Sequence, residues 1–418
     1  MTTRRRTPSR GGGDTAAASV IDELRAVCDD VRTATPDDAV DGIRPVLVAR
    51  PGDPDGVSTV LRASTANGLR AVARGAGTRS TWGAAPTAVD LVLDVSRLDA
   101  VLTHAAGDLV VTVQPGLALA DLQAALAPHR QRLALDGCTP RGTIGGTVAT
   151  AFSGPLRYRF GSVRDLVIGI TVVLADGTVA KSGGTVVKNV AGYDLGKLYT
   201  GSLGTLGVIT ELTFRLHPLP EARRWVTVTT PDPRRAAVAV AAVRGSQNDP
   251  VAMEVDRPGP GAPVTVGVAL EGVEEGIGAR ADEVARLLGA DAVVADAPPD
   301  WWATLPHDPS TGTGAVLTAE PTALATVLAD APGALRGSAG VGVLAVGLDP
   351  ATVATDLAAL RRLASAHGGS AVLRCAPPEV KAELDVWGPV SALPLMRRLK
   401  DEFDPQHRLA PGRFVGGI

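Results

Sequence analysis

The stretch from Gly142 to His217 constrains the fold more than any other part of the chain. It opens GTIGGTVATAFSGP and carries glycine and small hydroxyl residues throughout, with little charge. The runs Leu166–Leu174 and Val208–Leu216 read as strands, and Asp176-Gly177 as a turn. Glycine in strand-rich sequence costs stability unless a bulge, a positive φ or a close approach requires it. So many in one segment predict a main chain that lies close to a ligand.

Upstream, residues 1–17 hold arginines with no apolar run behind them and read as a disordered tail, not a secretory signal. Ser19 is placed to cap a helix running to about Val31, with Ile21, Leu24, Val27, Cys28 and Val31 on one face. Arg44–Ala49 reads as a strand, a helix starts at Asp55 or Ser58 and stops at Gly68, and Leu69–Ala73 is the next strand. The loop RGAGTRSTWG follows at once, over 74–83. Its first five residues, Arg74, Gly75, Ala76, Gly77 and Thr78, can present successive amides as an anion nest, or form only a tight turn. The loop lacks the third glycine and the helix start of a dinucleotide fingerprint, and Walker A is absent. Leu91–Val95 and Leu109–Val113 are further strands, and Ala118–Leu126 a helix.

Composition narrows the class. Formal net charge is −3, which gives no basic field for nucleic acid. The three cysteines (Cys28, Cys138, Cys375) are far apart and form no CxxC, which argues against a disulfide framework, an iron–sulfur cluster or a structural zinc. The six histidines are scattered without metal-binding spacing, so no metal is expected. No apolar run reaches the ~18 residues of a transmembrane segment, and the expectation is a soluble, cytoplasmic protein.

Several motifs recur in a fixed order: RGAGT at 74–78, LDVSRLD at 93–99, TIGG at 143–146 and SGPLRYRFGSVRDLVIG at 153–169. VVKNVAGYDLGKLYTGSLGTLGVITEL follows at 186–212, and FDPQHRLAPGR at 403–413. In these the chain resembles the FAD-binding domain shared by vanillyl-alcohol oxidase and p-cresol methylhydroxylase (PCMH), and within that family the FAD-binding subunits of glycolate oxidase. The resemblance implies an α+β fold: a two-subdomain PCMH-type FAD-binding domain, a ferredoxin-like cap, and a C-terminal segment that returns to the FAD domain. It implies that the 74–78 loop holds the FAD pyrophosphate through its amides. Thr139, Thr143, Gly145 and Gly146 would pack against the flavin or pyrophosphate, with Ser153 and Gly154 on the same face. Ser162, Val163 and Asp165 would lie along the ribityl–adenine path, and Gly207, Val208 and Ile209 would approach the adenine end. Relatives with histidyl-linked flavin carry histidine where this chain has Thr78, so non-covalent FAD is expected. The usual Asn-Pro-Gly near the end is replaced by Ala410-Pro411-Gly412.

The FAD domain is expected over 18–220, a cap over 225–375, and the returning segment over 376–418. In the cap, strands and helices alternate as β-α-β-β-α-β between Trp225 and Ala295, the pattern of a ferredoxin-like layer. A second unit follows with strands at 315–318, 341–346 and 370–375 and helices near 322–328 and 351–367. Val353, Leu357, Leu360, Leu363 and Ala364 form a core stripe on the last helix, and Leu395, Met396, Leu399 and Phe403 face inward on a helix at 394–403. Trp301-Trp302 reads either as a hydrophobic anchor or as a substrate or subunit contact.

By the same resemblance the activity is FAD-dependent oxidation of a 2-hydroxy acid, glycolate-like, with hydride transfer to the flavin. A second flavoprotein subunit and an iron–sulfur subunit would be partners. Stand-alone oxidation of another alcohol or sugar, and a purely electron-transferring subunit, remain alternatives. Such chemistry needs a base and a cation for the carboxylate. Arg157, Arg159, Arg374 and Tyr193 are candidates for substrate contact and His307 and His367 for bases; no residue is assigned to catalysis.

Overall fold

The computed structural model describes residues 13–137, 139, 141–185 and 192–418, so Cys138 and the 186–191 part of the glycine-rich stretch lie outside the described residues. Strands β1 (Val31–Thr33), β2 (Leu47–Ala49), β3 (Ala71–Arg74) and β4 (Leu91–Asp94) form a sheet in the order β1-β2-β4-β3, in which β2 and β3 both run parallel to β4. The helix Pro54–Ala66 makes the crossover from β2 to β3. Asp53 caps it by accepting from the Gly56 amide at 2.7 Å, Pro54 needs no amide partner at its start, and Gly68, at φ +69°, ends it. Its Val57, Val60 and Leu61 bury against Leu47, Leu91 and Leu93. The first helix runs Gly13–Val27, earlier than the Ser19–Val31 span expected. Pairing of Val31 with Ala49 in β1–β2 claims the end of that apolar stripe, and Val27 is left 37% exposed.

A second sheet contains β5 (Val101–Ala105) and β6 (Val110–Val113); β7 (Gln131–Arg132) lies apart; β8 (Val167–Val173), β9 (Val179–Gly183) and β10 (Val208–Arg215) complete the sheet, in the antiparallel order β5-β6-β10-β8-β9. β7 pairs with β11 (His217–Pro218). Sequence reading misses β5, whose residues are mostly exposed and carry no alternation. The Asp176-Gly177 turn locks the two sheets together, because the Gly177 carbonyl accepts from Ser58 Oγ at 2.5 Å.

From residue 222 the chain builds one antiparallel sheet of eight strands: β12 (Ala222–Thr230), β13 (Ala252–Arg257), β14 (Val264–Gly272), β15 (Val293–Ala295), β16 (Gly314–Thr318), β17 (Ala334–Ser338), β18 (Val343–Gly347) and β19 (Ala371–Cys375). The order is β15-β12-β14-β13-β17-β18-β16-β19. Each half is a β-α-β-β-α-β unit with its first and third strands central, and the units join edge to edge through their second strands, β13 and β17. Strand β17 is absent from the sequence reading because its residues, ALRGS, carry neither β-branched side chains nor an apolar alternation. The helix Val353–Ala366 buries Val353, Leu357, Leu360 and Ala364 as its spacing predicts.

The helix Leu393–Phe403 differs from expectation in what it buries. Leu395 is 50% exposed, while Lys400 is fully buried, its ammonium donating to the carbonyls of Thr205 (2.7 Å) and Leu409 (2.9 Å) and pairing with Asp404 (2.6 Å). A buried charge survives only when its hydrogen bonds are met, and here they are. The following residues return to β3: the Ala71 amide donates to Arg408 O and the Ala410 amide to Ala71 O, each at 2.8 Å.

Candidate functional site

Strand β3 delivers the chain to the 74–83 loop. Arg74 itself turns back from that loop: its guanidinium reaches Asp38 at 3.0 Å and Asp94 at 3.6 Å. Arg32, foremost, together with amide and hydroxyl donors from Thr35 and with Arg74, holds the Asp38 carboxyl far below the usual carboxylate range against the opposing pull of burial. Beyond it, the amides of Gly75, Ala76, Gly77 and Thr78 find no acceptor among the described residues. Gly77 sits at φ +74°, which curves the run. The carbonyls that follow point the other way. Arg413 donates to Ser80 O (2.8 Å) and Trp82 O (2.7 Å), and Lys381 to Thr81 O (2.7 Å) and Gly83 O (3.2 Å). Lys381 also pairs with the buried Asp41. Burial pushes Lys381 down and Asp41 up, so desolvation works against both charges that hold the loop.

The second segment meets this loop at Thr143. A side-chain carbon at Gly75 would lie 2.6 Å from Thr143 Oγ1, so glycine is what lets the segments touch. Thr143 caps the short helix Ile144–Ala149 by accepting from the Gly146 amide at 3.2 Å. Gly145 is demanded by protein packing: its amide donates to Pro115 O at 2.8 Å, and a side-chain carbon there would lie 2.5 Å from the Pro115 ring. One cleft is lined together by Arg74, Gly75, Thr143, Gly145, Gly146, Gly207, Val208 and Ile209. Gly204, at φ +76°, leaves it open on one side. Four unpartnered amides beside walls of main chain and small side chains suit a pyrophosphate and the flat groups attached to it. The donor set therefore fits a flavin dinucleotide.

The other expected residues lie elsewhere. Ala76 and Gly77 are exposed at the rim, and Thr78 O accepts from Ser310 Oγ at 3.3 Å. Thr139 closes a turn onto the Gly142 amide at 3.2 Å. Ser153 Oγ is taken by the Val163 amide at 2.8 Å, and Gly154 abuts Asp136. Ser162 and Asp165 spend their polar atoms on a capping box for the helix Val163–Leu166, and Val163 is buried. Tyr193 is 91% exposed, and Arg159 is an exposed partner of Asp249. His307 contacts Cys375 Sγ at 3.7 Å, and burial pushes its imidazole down. Trp301 and Trp302 lie against Gly267 of β14.

Two further cavities lie nearby: Leu203 lines both the cleft and the first of them, and Ala151, Val316 and Arg374 line both the first and the second. Ser153, Gly154, Arg157, Glu254, Arg336, Ser338 and Arg374 are among the residues of this last space. Glu254 is 4% exposed, and its Oε1 has no partner among the described residues. Burial pushes its carboxyl up to about 8, Asp136 adding to the effect and the Ser338 hydroxyl, and after it Arg157, opposing it. The Arg157 side chain makes no hydrogen bond or ion pair among the described residues, and burial pulls its guanidinium down. Sequence reading passes over Glu254; its one signal is an acidic residue between Met253 and Val255 in a strand otherwise read as core.

A mixed sheet with its glycine loop, an antiparallel sheet and the cleft between them define a dinucleotide-binding unit. Residues 45–183 match the FAD binding domain family, and the cofactor is FAD. The chain is similar to the glycolate oxidase subunit GlcD of Bacillus subtilis, 33% identical over 51% of this chain and 46% of that protein. It is also similar to the glycolate oxidase subunit GlcE of Escherichia coli, 40% identical over 31% of this chain and 38% of that one. Each match spans less than half of the relative's length. A solved alkyldihydroxyacetonephosphate synthase shares the fold at a TM-score of 0.71 and 17% identity, over 98% of this chain and 87% of that one.

Proposed function

We propose that the protein is an FAD-dependent oxidoreductase acting on the CH–OH group of a 2-hydroxy acid, in the manner of a glycolate oxidase subunit. The observation that carries this is the run of amides from Gly75 to Thr78, unpartnered among the described residues, which starts at the cleft that Gly75 lines with Thr143, Gly145, Gly146 and Gly207–Ile209. In this reading the amides hold the pyrophosphate, Thr143, Gly145 and Gly146 bound its path, and Gly207, Val208 and Ile209 face the adenine end. FAD, once bound there, supplies the hydride acceptor. Residues 18–220 are the cofactor domain, 225–375 the cap that bounds the substrate, and 376–418 the segment that braces the cofactor loop. Thr78 stands where a covalent link would need histidine, so the flavin is held without a bond. The buried thiols Cys28 and Cys375 are far apart in the chain, and electrons pass on to a second flavoprotein and an iron–sulfur subunit. Among the described residues no helix is long and apolar enough to cross a membrane.

The test uses the purified protein under anaerobic conditions. Glycolate or D-lactate bleaches the flavin band. Bleaching by a sugar alcohol alone points to a different alcohol, and no bleaching by any donor leaves only electron relay. Acid precipitation leaves a yellow supernatant; a yellow pellet overturns the non-covalent attachment.

A further inference from the structure

Two unspent charges face one cavity. Glu254 lies mid-strand in β13, its backbone paired with Gly267 of β14 and Ser338 of β17, and its buried carboxyl has an oxygen with no partner among the described residues. A buried acceptor left unmade costs stability and is kept where something else uses it. Arg157, on the short helix Arg157–Phe160, is half-buried and makes no ion pair, not even with Glu254. Both line one cavity, whose Ala151, Val316 and Arg374 also line the neighbouring cavity that shares Leu203 with the cofactor cleft. A second cation, Arg374, stacks over Trp82 at 4.6 Å. Arg336 in the same wall is already held by Asp256 at 2.8 Å.

We propose that this cavity seats the hydroxy acid, with Arg157 pairing with its carboxylate and Glu254 taking the proton of its hydroxyl. The proposal rests on the function given above and assigns the residues it leaves open. Oxidation breaks the substrate's C–H and O–H bonds and forms C=O. The hydride leaves with two electrons for FAD, and the proton goes to the Glu254 carboxylate. An arginine fork matches a carboxylate, and a carboxyl tuned toward the working pH suits a proton acceptor. The charged groups acting on Glu254 are Asp136 and Arg157, Arg336 and Arg374 line the same cavity, and β14 presents Gly267 opposite it. With its carboxyl pushed up to about 8, the proton-accepting form grows as pH rises through that value.

Oxalate, which has two carboxylates and no C–H bond, binds without reacting and serves as the probe, titrated calorimetrically into flavin-free and FAD-loaded protein. Arg157→Met weakens oxalate about tenfold or more in both forms. Glu254→Gln keeps oxalate binding but slows anaerobic bleaching by the hydroxy acid about a hundredfold or more, and abolishes its rise with pH. Glu254→Asp, the variant to use should Gln fail to fold, slows bleaching about tenfold and keeps the pH rise. Unweakened oxalate binding in R157M, or wild-type bleaching with an unchanged pH profile in E254Q or E254D, overturns the assignment. Bleaching in wild type and variant alike removes only this assignment, whereas a wild type that no 2-hydroxy acid bleaches removes the proposed function with it.

Discussion

A methyl group at position 75 would land 2.6 Å from Thr143 Oγ1, at the contact between the two cofactor segments. Gly75→Ala therefore lowers FAD affinity about tenfold or more, read by titrating flavin fluorescence. That glycine is legible in the sequence because nothing larger fits the meeting of two segments. Gly145 looks equally diagnostic, yet Pro115 explains it without any ligand. Glu254 is the reverse case: one acidic letter in an apolar strand says little until the folded cavity shows which face it takes. Its raised carboxyl also has a thermodynamic signature. The unfolded chain ionises near the ordinary glutamate value and the folded one only near 8, so stability falls as pH rises between them. Thermal midpoints drop over that window, and E254Q flattens the drop. His217 has the opposite sign. Burial, and next Arg215, push it down to about 4, so its contribution is lost as pH falls from the ordinary histidine value toward 4. His217→Gln removes that acid slope, measured by the same melts.

At the level of the element, the 74–83 loop is built in two halves of opposite polarity. Amides face out from Gly75 to Thr78, and carbonyls face in from Ser80 to Gly83 onto Arg413 and Lys381. Lys381→Met leaves Asp41 buried and uncompensated and costs about 3–5 kcal/mol in denaturant unfolding. Arg413→Met strands two carbonyls and costs about 1–3 kcal/mol for each. It also lowers FAD affinity, although Arg413 does not line the cleft. Sequence reading found this loop and the Pro411-Gly412-Arg413 segment separately, by motif. It could not join them, because a lysine and an arginine in polar stretches read as surface until burial is known. Lys400, which the sequence reading does not single out, is buried in the same way.

Across the whole molecule, the alternation of elements was legible wherever apolar period and capping agreed, as in the β-α-β-β-α-β order. It failed at β5 and β17, where side chains carry no pattern and tertiary pairing alone makes the strand. Cofactor half and eight-stranded sheet are joined by Arg132 on the buried Glu271, which Arg223 of the sheet also contacts, and by Trp82 Nε1 donating to Pro309 O at 2.9 Å. The cavity at Glu254 is lined from both sides of this junction, by Ala151, Phe152 and Arg157 and by β13, β16, β17 and β18, so neither half alone encloses it.

The cations behind the cofactor loop come from positions 381 and 413, some three hundred residues downstream of the carbonyls they hold. During synthesis the N-terminal half leaves the ribosome with those carbonyls unmet. A nascent chain halted before Lys381 thus stays colourless in the presence of flavin, and cofactor uptake becomes a late event, a checkpoint that only a translated C-terminal segment can clear.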